Sequence, residues 1–130
     1  MCQFIKALQE KIFDEEYSMR RDDNKLKYRQ FEPIKLTNDL WLSIQASYAH
    51  YSRPRETFND LEEYTHWEMA IFTKEDFISA SQVVPDFDSL AELELYFEGS
   101  VYPYVPKDLI EELYLEIKKL LQVADKDVSI

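Results

Sequence analysis

The stretch Leu40–Phe72, LWLSIQASYAHYSRPRETFNDLEEYTHWEMAIF, constrains this chain most, because it holds its two clearest strand patterns and a polar loop between them. In Leu40–Ser47 the apolar Leu40, Leu42, Ile44 and Ala46 alternate with Trp41, Ser43, Gln45 and Ser47, the period of a half-buried strand. His66–Thr73 is apolar or aromatic almost throughout, which predicts a strand covered on both faces. Glu68 is the exception within it. A desolvated carboxylate must find a cation or donors, or keep its proton, and the loop offers His50, Arg53 and Arg55. Two readings fit: Glu68 reaches water or pins the loop through an arginine, or Glu68, His50, Tyr51 and an arginine line a polar pocket. Pro54 disfavours helix at Arg53, so the loop leaves its strand extended and sets the direction of Tyr51, Arg53 and Arg55.

At 130 residues with 19 aromatics, the chain has the length and apolar content for one core. Only one glycine, Gly99, is present, which excludes phosphate-cradling loops, dinucleotide fingerprints and nucleophile elbows. Two histidines and one cysteine cannot assemble the usual zinc site, and neither a metal nor a cofactor is expected. Cys2 has no partner for an internal disulfide and fits a reducing cytoplasm. No apolar run is long enough to span a membrane, and the N-terminus lacks the pattern of a signal peptide.

The net charge of −11 is uneven: residues 1–55 balance to +2 and residues 56–130 to −13. Such a field repels nucleic acid and membranes and attracts basic surfaces.

Phe4, Ile5, Leu8, Ile12 and Phe13 predict an amphipathic N-terminal helix over Cys2–Ser18, joined by a solvated linker over Arg20–Arg29 to a domain of residues 31–130. Phe31–Leu36 reads as a short edge strand or an extended lead-in, and Phe77–Val84 as a candidate strand. Asp86–Gly99 reads as a helix with a capping box between Ser89 and Glu92, ended by Gly99. Val101–Pro106 is expected to be a rigid connector. The last helix follows Pro106, with Leu109, Ile110, Leu113, Ile117, Leu120 and Leu121 as its stripe and fraying after Val123. These elements make an α+β fold, a small, mainly antiparallel sheet packed by two C-terminal helices, plus the N-terminal helix.

Gln45, Ala46, Ser47, Tyr51, Pro54 and Arg55, then Tyr64, Glu68, Ala70 and Phe72, then Val101, Tyr102, Tyr104, Val105 and Pro106 form three ordered motifs. Over residues 42 to 113 the chain resembles a family of small proteins encoded by phages and other mobile elements. That resemblance implies a genomic setting and a host bacterial cytoplasm, not a mechanism. Pro103 departs from it, because glycine is common there in the family.

The expected function is protein binding, not catalysis. Asp86, Asp88, Glu92, Glu94, Glu98, Asp108, Glu111, Glu112 and Glu116 face one cation, Lys107, over residues 86–116. They are candidates to occupy a basic, nucleic-acid-binding surface of a host nuclease, as an anti-CRISPR or other anti-defence inhibitor would. An ordinary solvated helical face has the same pattern. An immunity protein for a basic toxin nuclease has the same electrostatics. The alternative is a small enzyme or ligand-binding domain using Glu68 as base with His50 or Arg55 as stabiliser.

Overall fold

The structure, a computed structural model, describes residues 2–11 and 29–128. A five-stranded antiparallel sheet carries the fold: β1 (Ile34–Thr37), β2 (Leu40–Gln45), β3 (His66–Phe72), β4 (Phe77–Ile78) and β5 (Tyr102–Pro106). β2 pairs with β1 on one side and β3 on the other, and β3 is central. Its second edge is shared, with β4 pairing Ile71 and Phe72 and β5 pairing His66, Trp67 and Met69. Among the described residues three helices accompany the sheet in this α+β fold: α1 (Gln3–Ala7), α2 (Leu90–Glu94) and the long α3 (Lys107–Val128).

The alternation in β2 does what its period requires: Leu42 and Ile44 are fully buried, and Trp41 on the other face stacks against Phe72 at 5.6 Å. β3 is covered on both faces as expected, but less completely on one, where Ala70 is buried. Trp67, Met69 and Ile71 are fully buried, whereas His66, Glu68 and Phe72 alternate with them and are half-buried. Glu68 therefore lies on the wetter face, where a carboxylate is tolerable.

The N-terminal helix is shorter than its apolar periodicity predicts. It ends at Ala7, and Leu8 is extended. Glu10 then bridges Phe31, with Lys11 N–H donating to the Gln30 carbonyl at 2.8 Å and Glu32 N–H to that of Gln9 at 2.7 Å. Backbone pairing with a distant segment thus takes the place of helix at residues 9–11. Phe4 is fully buried edge-on against Trp67, centroids 5.5 Å apart, and both Glu111 carboxylate oxygens accept from the Gln3 and Phe4 N–H groups at the start of α1. Ile12, Phe13 and the Arg20–Tyr28 part of the expected linker lie outside the described residues.

Arg29, expected in that solvated linker, is only 5% exposed. Its guanidinium donates to the carbonyls of Phe58 and Ala46 and to the Tyr64 hydroxyl, and lies over the rings of Phe31 and Tyr64. A planar fork with several donors fits these divergent acceptors as a lysine would not.

Other boundaries also change. Only Phe77 and Ile78 of the 77–84 stretch are strand, because Ser79 and Gln82 form a capping box that opens a 3-10 turn at Ala80–Gln82. α2 is a single turn, and its expected Ser89–Glu92 box does not form: Ser89 Oγ donates to Glu112 on α3 instead, at 2.6 Å. Gly99, at φ 87, serves the turn into β5, not a helix end. Val101–Pro106 is no simple connector, since Tyr102–Pro106 is a strand. Leu109, Ile110, Leu113 and Ile117 of α3 are buried as expected, but Leu120 is 44% exposed, and the helix continues to Val128 without stopping at Val123.

Candidate functional site

Two surfaces collect the chain's unusual chemistry. The first surrounds the loop between β2 and β3. Arg29 anchors the loop from beneath, and Ser52 Oγ donates to the carbonyls of Ser47 and Pro54. At its tip Arg53 pairs with His66, its N–H donating to the His66 carbonyl at 3.0 Å. β5 meets this loop through an irregularity. Its register with β3 shifts between Trp67 and Met69, and Tyr104 stands there at φ 53, a left-handed conformation costing a non-glycine residue about 1 kcal/mol. The Tyr104 N–H donates to the Tyr51 carbonyl at 3.1 Å, so the two tyrosines are set side by side, centroids 5.6 Å apart.

The arginines complete a row. Arg53 lies 4.8 Å from the centroid of the Tyr104 ring, and Arg55 5.0 Å from that of Tyr51, which is 41% exposed. Arg55 Nε donates to the Tyr48 carbonyl at 3.2 Å. Among the described residues neither guanidinium has a carboxylate within ion-pair distance; the ion pair there is Lys107–Glu62 at 3.4 Å. Among the described residues Glu68 thus forms no ion pair with Arg53 or Arg55. Burial raises the Glu68 pKa, while the Tyr51 N–H and the more distant Arg55 charge oppose that shift.

His50 turns its Nδ1 to the Ser47 hydroxyl at 2.7 Å, and that hydroxyl also accepts the Ala49 N–H. Ser47 is fully buried, so this serine–histidine pair organises a turn and presents no accessible nucleophile. Burial, then the charges of Arg29 and Arg55, lower the His50 pKa to about 4. Burial and Arg53 lower that of His66.

These shifts set a pH dependence. His50 stays neutral in the fold to about pH 4, whereas its ordinary value is 6.5, so the unfolded chain binds the proton first as pH falls. Stability is therefore lost between those values on acidification. His66 acts in the same sense. Glu68 acts oppositely, because its raised pKa favours the folded state at low pH. From about pH 7 to about pH 5 the His50 contribution is expected to reach on the order of 1 to 2 kcal/mol, discounted for partial exposure. Urea midpoints of the wild type and His50→Asn at both pH values measure it. An identical pH slope in the two proteins would remove His50 as the cause.

The second surface is acidic. Asp86 and Asp88, from the turn before α2, and Glu112 and Glu116, from α3, line a groove of ≈ 540 Å³ with Phe87, Leu115 and Lys119. Leu115 is 46% exposed, an apolar residue among carboxylates. The Ser89–Glu112 hydrogen bond ties the two walls together. The remaining candidate acids are placed otherwise. Glu94 accepts the buried Tyr102 hydroxyl at 2.6 Å, and Glu111 holds the start of α1, so both have structural partners. Glu92, Glu98 and Asp108 are exposed but do not line the groove.

Tyr104 joins this cluster from the stretch Val101–Pro106, which the sequence presents as a connector. The flanking Pro103 and Pro106 suggest a connector, and nothing local announces a register shift against a strand thirty-odd residues away. Among the described residues, no group of three or more His, Cys, Asp or Glu side chains is placed to hold a metal ion, and no helix is long and apolar enough to cross a membrane.

Fold and surfaces together define a small α+β protein with one acidic groove and one arginine–tyrosine row. No family model, curated protein or solved structure matches the chain.

Proposed function

We propose that this protein acts by binding a basic protein surface through the groove between Asp86–Asp88 and α3. The observation that carries this reading is the convergence of Asp86, Asp88, Glu112 and Glu116, from two separate elements, around one groove whose single lining cation is Lys119. Carboxylates spaced along such a groove can take the positions of phosphates on a nucleic-acid-binding face, and exposed Leu115 offers an apolar anchor among them. The net charge of −11 would speed encounter with a basic partner. With the resemblance to small phage proteins, these features fit an anti-CRISPR or similar inhibitor of a host defence nuclease, working in the bacterial cytoplasm without catalysis.

The test is capture of a basic nuclease from nuclease-treated bacterial host lysate, followed by affinity measurement with the purified partner. Binding should fall steeply between low and moderate salt, and Glu112→Lys with Glu116→Lys should weaken it by at least about tenfold. A partner held equally well at high salt, or by the charge-reversed protein, would refute the reading. A toxin nuclease encoded beside this chain would assign the same groove to an immunity protein.

A further inference from the structure

The row Arg53, Tyr104, Tyr51, Arg55 has a composition and a construction that the acidic groove does not explain. Tyrosine and arginine are the residues that most often anchor interfaces, since they contribute large contact areas and directed donors. Here all four are tied to scaffold: Tyr104 by its strand and its N–H bond to Tyr51, Arg53 by its bridge to His66, Arg55 by Tyr48, and the loop as a whole by Arg29. Tyr104 keeps its ring there despite a backbone conformation that glycine would adopt without strain.

We infer that the Arg53–Tyr104–Tyr51–Arg55 row is a second docking surface, which takes an acidic segment of a protein partner carrying carboxylates on both sides of an apolar or aromatic residue. A guanidinium resting on a ring uses its face and leaves its edge donors for a carboxylate, to which its fork is matched. Arg55 spends only Nε on the Tyr48 carbonyl. The two charges bracket the tyrosine pair, so the pattern they fit is acid, apolar, acid. Nucleic acid is disfavoured on two counts. Each ring already carries a guanidinium and leans on the other ring, which limits base stacking, and a net charge of −11 repels a polyanion more than a short peptide.

The probes are a labelled peptide of sequence Glu-Glu-Tyr-Glu-Glu, its Gln-Gln-Tyr-Gln-Gln counterpart and a short oligothymidylate, titrated into the full chain by fluorescence anisotropy. The acidic peptide should bind, with the neutral one weaker by roughly tenfold, as expected for loss of charge-assisted hydrogen bonds. R53Q with R55Q should lose a similar factor. K6Q with K35Q removes the same charge from exposed positions elsewhere and should change affinity less than about twofold. Tyr104→Gly relieves strain, so its thermal midpoint should hold while peptide binding drops. Equal binding of the two peptides, binding of neither, or equal loss in both double variants would overturn the proposal. So would tighter, R53Q/R55Q-sensitive binding of the oligonucleotide. Charge reversal at Glu112 and Glu116 leaves this row intact, so failure here and failure of the acidic groove are separate results.

Discussion

Arg29→Ala is expected to destabilise the protein by about 3 to 4 kcal/mol, because the change strands several buried acceptors at once. The guanidinium bridges the Ala46 carbonyl at the end of β2, the Phe58 carbonyl at the far side of the loop, and the Tyr64 hydroxyl ahead of β3. Its faces also cover the Phe31 and Tyr64 rings, so truncation opens a void as well. Unpaired carbonyls in that void would draw in water and loosen residues 46–58. A fall in thermal midpoint of about 10 °C should result, with faster amide exchange across the loop. Arg29→Lys should recover only part of the loss, since one ammonium cannot span acceptors that a planar fork reaches. A midpoint within about 2 °C of wild type for Arg29→Ala would show that the loop is held by something else.

Phe4→Ala should be nearly as costly, at about 3 kcal/mol, although it sits in a helix of only five residues. A five-residue helix has no stability of its own, so α1 exists through its docking. Phe4 supplies the apolar part of that docking by filling the space beside Trp67, and Glu111 supplies the polar part by accepting the first N–H groups. With the ring gone, residues 3–7 should exchange their amides freely, and Glu111→Gln alone should cost only about 1 kcal/mol. Equilibrium urea unfolding separates the two. If Phe4→Ala and wild type unfolded at the same denaturant concentration, the N-terminal turn would be an ornament of the core and not a member of it.

Both predictions concern residues whose importance local pattern hides. Phe4 is visible in the sequence as one apolar residue of a helical stripe, yet the stripe predicts a helix to Ser18, while the described chain turns at Leu8 to pair with Phe31. Arg29 reads as the last cation of a polar run. A hydrophobic period reports which face a residue shares with its neighbours, not what arrives from elsewhere in the chain to satisfy its donors.

The candidate surfaces divide in the same way. Asp86, Asp88, Glu112 and Glu116 are legible as acids at the start of one expected helix and along another, because solvated charge and helical spacing are local properties. That they line a common groove, while Glu94 and Glu111 become internal acceptors, depends on how α2 and α3 lie together. Tyr51, Arg53 and Arg55 in the loop and Glu68 within β3 stand out in the sequence, but the fourth member of the row, Tyr104, comes from β5.

The α+β class, the strands β2 and β3, the long last helix with its acidic start, and the asymmetry of charge are all local features of the chain. Each follows from side-chain period, capping chemistry or composition, which act over a few residues. Long-range contacts make β5 a strand, Arg29 a buried clamp, and Tyr104 a neighbour of Tyr51. Those outcomes rest on backbone pairing and hydrogen bonds between segments 17 to 53 residues apart, where the energy of closing the sheet overrides local preference.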